Sequence, residues 1–200
     1  MARSLLQDVI KSEPLNPYWY SRLGQLEKLR GIQDDDIDWS KVAVPYSKAC
    51  DLSRNADERL EYGIEAALAF AQFDHLRARR EVLRAWSTMS DVKSSDLASF
   101  GSHFGNAVLG IAALADGDVT AAVGHMSVAG DSQRSPELFA YGPDLQLATQ
   151  LAKLGRIDDV VLYLEKCSRL APRYAATYDK WKIRLKAGDT FVMSHRYSPG

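Results

Sequence analysis

His103 and Asn106 stand three residues apart in a stretch that is otherwise small and apolar, so on a helix the two polar side chains share one face. An imidazole and an amide placed in this way could point together into a groove. Cys167 adds a thiol, and since nucleophile and base are often distant in sequence, Cys167 with His103 or His125 is the constellation that would make an enzyme. That chemistry requires an accessible thiol of lowered pKa. The residue pattern points elsewhere: Cys167 closes an apolar stripe begun by Ile157, Val160, Val161 and Leu164, the setting of a buried, inert thiol. His103 and Asn106 are expected to cap or bond a neighbouring loop such as Tyr141-Gly142-Pro143. His125 reads as a partly exposed residue of a second helix.

Other chemistries find less support. A zinc site needs converging His, Cys or carboxylate ligands, usually with close pairs in sequence, and His75, His103, His125 and His195 form no such pairs with one another or with a cysteine. Asp34, Asp36 and Asp38 imitate the opening of a calcium loop. Trp39, however, stands where the sharp turn needs glycine, and Pro45 where a bidentate glutamate should close it. There is no phosphate-cradling glycine loop ending in Lys-Ser/Thr, no dinucleotide fingerprint and no GxSxG elbow. Ser90 to Lys93 fits Ser-x-x-Lys without the companion motifs, a match short enough to arise by chance. No catalytic residue, metal or cofactor is expected.

Composition agrees with a soluble protein. Lys+Arg 25 against Asp+Glu 26 leaves a net charge of -1, and a polyanion binder would need a concentrated positive face. The one dense basic run, Arg77, Arg79, Arg80 and Arg84, spreads around a helix as a solvated face, so no nucleic-acid partner is expected. The stretch MARSLLQDVIKSEP carries Asp8 and Lys11 and has no apolar core of a secretory signal. No run is expected to reach the roughly 18 to 20 apolar residues that cross a bilayer. Cys50 and Cys167, far apart and outside any CxxC, suit reduced thiols in the cytoplasm.

The elements that must position these residues are helices. Leu60, Ile64, Ala67, Leu68 and Ala71 recur at spacings of three and four, and Leu76, Val82, Leu83, Trp86 and Met89 continue after a break near Phe73-Asp74. Further stripes are Leu145, Ala148, Leu151 and Ala152; Ile157 to Cys167; and Tyr174, Tyr178, Trp181 and Leu185. Gly117 and Gly155 fall where helices should stop, and Pro143 suits an early helical position. A helix is expected over about 18 to 30, an acidic loop over 31 to 40, a helix starting or kinked at Pro45, and a frayed tail over 195 to 200. The class is all-α, with about eight to ten helices in antiparallel hairpins.

Aligning Gly117 with Gly155, an offset of 38, brings two units into register. Leu109, Gly110 and Met126 of the first then correspond to Leu147, Ala148 and Leu164 of the second, Val160 replaces the alanine that matches Ala122, and Ala129 of the first with Leu151 and Pro172 of the second complete the two patterns. In these positions the sequence resembles the tetratricopeptide-repeat family over residues 98 to 172, and the excess over that family's period of about 34 is assigned to an insertion at 130 to 142. Small residues at Gly110, Ala122 and Ala148 let paired helices approach, and Met126 and Leu164 fill the gap. A narrower likeness joins His103 to Asn106, Leu109-Gly110, Gly117-Asp118, Tyr141-Gly142-Pro143, Leu147-Ala148, Gly155 and Tyr163 to Cys167. In that order they are similar to a set of uncharacterised bacterial tetratricopeptide-like proteins.

The resemblance implies an irregular tetratricopeptide-like superhelix: an N-terminal helical cap with an acidic loop over 1 to 55, the array over 56 to 188, and a tail over 189 to 200. It implies a protein- or peptide-binding module in the bacterial cytoplasm, without catalysis, whose groove is lined by first helices. The matching positions are Phe104, Ala107, Ile111, Leu145, Thr149 and Lys153, with His103 and Asn106 at the rim. A specialised form would be an immunity protein or chaperone for a toxin or effector. The competing readings are an enzyme or small-ligand binder using His103, Asn106 and Cys167, and a homodimer formed through Tyr18, Trp19 and Tyr20. Only Lys153 is charged among the groove positions, so no clamp for a chain-end carboxylate is expected among them.

Overall fold

Asn16, Asp38, Asn55, Asp74, Asp118 and Ser135 each turn a side-chain oxygen onto the first free amides of the helix that follows, and these six caps set most of the helix starts. The computed structural model describes residues 2–194, the side chain of Tyr141 excepted. The expected tail over 195–200, with His195, lies outside the described residues. Eleven α-helices and no strand are present among those described: α1 (Ala2–Ser12), α2 (Pro17–Gln33), α3 (Trp39–Leu52), α4 (Ala56–Phe70), α5 (His75–Trp86), α6 (Ser95–Ala115), α7 (Val119–Gly130), α8 (Pro136–Tyr141), α9 (Gln146–Lys153), α10 (Ile157–Leu170) and α11 (Ala175–Lys186). Short 3-10 turns at Met89–Asp91 and Pro172–Tyr174 complete the set.

The all-α class is therefore observed. The helix number exceeds expectation because α1 and the six-residue α8 were not anticipated. The first begins at Ala2, and the second lies inside the supposed insertion, started by the Ser135 cap with Pro136 in its first turn. Pro45 lies within α3 and does not start it, because Asp38 already caps that helix. Pro143 precedes α9 as part of the 142–145 connection.

The chain forms two compact units, residues 1–101 and 102–200. In the first, α2, α3, α4 and α5 each pack on the next, with α1 against α2. Small residues permit this. A Cβ at Gly24 would stand 2.7 Å from the Tyr46 ring, and one at Gly63 would stand 2.8 Å from the Ala85 Cβ and 3.2 Å from the Cys50 sulfur. Lys28 pairs with Glu65 at 3.3 Å, joining α2 to α4. Ser47 Oγ donates to Glu81 Oε1 at 2.9 Å, and the Arg84 guanidinium meets both Glu81 and Asp51, tying α5 to α3.

One expected stripe is met only in part, at Val82. Leu76 and Leu83, taken as core, are 68% and 55% exposed, whereas Ala78, Glu81, Val82 and Ala85 are the buried face of α5. The close seat of Ala85 on Gly63 demands small residues there. Glu81 is tolerated inside because Ser47 and Arg84 satisfy it. Of the basic run, Arg77 stacks over the Phe70 ring at 4.3 Å and Arg84 is ion-paired.

In the second unit α10 packs against α7, α9 and α11. Ala122, Met126, Ala148, Leu151, Val160, Leu164 and Cys167 are buried as the small-and-large pattern requires. Gly117 and Gly155 end their helices at φ +81 and +78, a conformation glycine adopts without a Cβ clash. The segment after α11 folds back: Phe191 lies against Trp181 and beneath the Arg184 guanidinium, and buried Met193 donates its amide hydrogen to Thr149 Oγ1 at 3.2 Å.

α6 corrects a further expectation. Its 21 residues are long and apolar enough by composition to cross a bilayer, although polar Ser99, Ser102, His103 and Asn106 interrupt the run. Most of the helix is buried among the protein's own residues.

Candidate functional site

His103 is wholly buried, and both ring nitrogens are in use. Nδ1 lies 2.8 Å from the Ala129 carbonyl oxygen, and Nε2 lies 3.0 Å from the amide nitrogen of Asp144. A carbonyl only accepts and an amide N–H only donates, so the two partners fix the tautomer: the proton sits on Nδ1 and Nε2 accepts. Burial pushes the imidazole pKa down to about 4, partly opposed by the bond to Ala129. A proton on Nε2 would also face the Asp144 N–H. The ring is held from the side by Phe104, edge-on at 4.9 Å.

Asp144 links this histidine to α10. Its carbonyl accepts the Tyr163 hydroxyl at 2.6 Å, and its Oδ1 accepts the Gln146 amide at 2.9 Å, opening α9. Burial raises the carboxyl's pKa, against bonds from the Gln146 and Leu147 amides that lower it. Tyr163 is buried, and its hydroxyl lies beside the Cys167 thiol. Burial likewise pushes both groups well up from their ordinary range. His103, Asp144, Tyr163 and Cys167 thus form a chain of polar groups inside the unit, and burial favours the uncharged form of each.

Asn106 belongs to a second pair. Its Nδ2 donates to the Ser102 carbonyl at 2.8 Å, and its Oδ1 accepts from His125 Nδ1 at 3.0 Å, joining α6 to α7. The expected loop contact is therefore made by His103, to Asp144 just past Tyr141-Gly142-Pro143, while Asn106 reaches a helix. His125 is half-buried, as expected. The helices meet closely nearby: a Cβ on Gly110 would overlap the Leu147 Cδ2 and lie 3.3 Å from the His125 Cβ.

Of the groove positions, Ala107, Ile111, Leu145 and Thr149 are buried together with His103 and Asn106. Phe104 is half-exposed and Lys153 exposed. Thr149 is engaged by Met193 of the same chain. Cys167 and His103 both approach the Tyr163–Asp144 link, one through a hydroxyl and the other through a backbone amide, whereas His125 belongs to the Asn106 pair. Both cysteines are free and buried. Among the described residues no three His, Cys, Asp or Glu side chains gather as metal ligands would.

Sequence reasoning missed Asp144 and Tyr163. The signal for Tyr163 was present, since it lies four residues before Cys167 and so on the same helical face. Asp144 acts through its main chain, for which side-chain type gives no signal.

No family model, curated protein or solved structure matches this chain.

Proposed function

We propose that this chain is a non-catalytic, tetratricopeptide-like helical module that binds a protein or peptide in the cytoplasm. One observation carries the reading: the residues whose types could do chemistry are spent on holding helices together. His103 clamps α6 to the end of α7 and the start of α9. Asn106 locks α6 to α7 through His125. The Cys167 thiol is buried where ionisation is disfavoured, the opposite of a nucleophile's requirement. Helices packed with small residues at their crossings, Gly110 of α6 against Leu147 of α9 and Gly63 of α4 against Ala85 of α5, are what a hairpin array needs. Two free, buried cysteines suit a reducing compartment.

The faces left for a partner include Phe104 and Lys153. The test is affinity capture with the full chain, followed by titration of each captured protein against Lys153→Glu, Phe104→Ala and a remote control, Leu76→Gln. Loss of binding in the first two with retention in the control is expected. Equal binding by all three would refute this surface. An activity abolished by His103→Ala at unchanged thermal midpoint would refute the non-catalytic reading.

A further inference from the structure

We infer that the second unit carries a binding pocket for a compact oxyanion, a carboxylate or phosphate group, gripped by Arg134 and Arg169. The two arginines lie 35 residues apart in sequence, and the fold brings them to the wall of one cavity of about 350 Å³. Gly130, Asp131, Ser132 and Leu170 complete its lining. That volume is within the range of small-ligand sites.

The cations around the cavity differ in how they are employed. Lys166 is committed to the Ser127 carbonyl and hydroxyl and to Asp131, the last at 2.7 Å, so the one carboxylate in the lining is already neutralised. Arg173, outside the lining, donates to the Ala140 carbonyl at 3.1 Å and lies over the Tyr174 ring. Arg134 and Arg169 have no carboxylate partner among the described residues. Arg134 is held by its stack on the Phe139 ring, 4.5 Å to the centroid, which orients the guanidinium without using its donors.

Helix ends do not account for both charges. α7 and α10 finish at Gly130 and Leu170, and each C-terminus presents roughly half a negative charge. Two guanidiniums exceed that sum by about one positive charge. The planar five-donor fork of arginine matches carboxylate and phosphate oxygens in pairs. This site does not depend on the partner-binding reading above.

The test is calorimetric titration of the full chain with inorganic phosphate and, separately, with succinate. Saturable binding of at least one probe is expected, weakened at least about tenfold by Arg134→Gln or Arg169→Gln and changed less than about twofold by Arg173→Gln. Phosphate alone saturating identifies a phosphate-bearing ligand, and succinate alone a carboxylate. Saturation by neither, or binding indifferent to both arginine variants, overturns the proposal. Should a variant fail to fold, arginine modification of the unaltered chain by phenylglyoxal decides: the anion must protect Arg134 and Arg169 and leave the exposed Arg54 reactive, and absence of that protection overturns it.

Discussion

The Nε2 of His103 accepts the amide hydrogen of Asp144, 41 residues away in sequence, at 3.0 Å. The histidine is thus an internal brace between α6 and the start of α9, and it works only while uncharged.

Acid should therefore loosen the second unit through this residue. The folded-state pKa, about 4, lies below the ordinary 6.5, so the unfolded chain takes the proton first. The contribution is fully present above pH 6.5 and falls away as the pH drops towards 4, a loss on the order of 3 kcal/mol in all. Denaturant titrations across this window should show a steeper decline for the natural chain than for His103→Gln. Parallel curves would contradict it.

The brace should also be costly to delete at neutral pH. His103→Phe keeps an aromatic ring but strands the Ala129 carbonyl and the Asp144 amide, about 1 to 3 kcal/mol for each unsatisfied group. The thermal midpoint should fall by several degrees, and a variant as stable as the parent would show that water replaces the ring.

Gly110→Ala should destabilise by about 1 to 3 kcal/mol, since its methyl would enter the space of Leu147. Shortening that neighbour should give room back. In Gly110→Ala with Leu147→Val the combined loss should be smaller than the sum of the single losses, as measured by chemical denaturation. Simple additivity would mean that the two helices do not share this crossing.

Register in α5 can be checked from both sides. Leu76→Gln and Leu83→Gln should each lie within about 0.5 kcal/mol of the parent, while Ala85→Leu, pressed on Gly63, should cost about 1 to 3 kcal/mol. The reverse order of effects would restore the leucine stripe.

Thr149→Val should release the segment that ends at Met193. The hydroxyl's bond to the Met193 amide is worth about 1 kcal/mol, so hydrogen exchange at that amide should accelerate by roughly fivefold. Unchanged protection would place the anchorage in Phe191 and Arg184 alone.

Much of this fold could be read in advance where side-chain size governs packing. Gly117 and Gly155 marked helix ends because only a residue without Cβ turns the chain there cheaply. Ala122, Met126, Ala148 and Leu164 are buried as the alternation of small and large suggested. Pattern failed where an exposed apolar residue imitates a core one. Leu76 and Leu83 keep helical spacing, yet of their stripe only Val82 is buried in α5, beside Ala78, Ala85 and a neutralised Glu81, whose partners Ser47 and Arg84 lie on different helices. The candidate site was half legible. His103 and Asn106 stood out by type, but their partners are a carbonyl, an amide and a helix neighbour, which no local motif encodes. Arg134 and Arg169 were invisible as a pair because only the convergence of α7 and α10 makes them neighbours of one cavity.

Each unit encloses a single free cysteine, Cys50 in residues 1–101 and Cys167 in residues 102–200. The molecule is thereby born with two silent reporters. An alkylating reagent reaches either sulfur only when its own half breathes open, so the relative labelling speed of the two thiols would rank the halves by resilience without a single introduced probe.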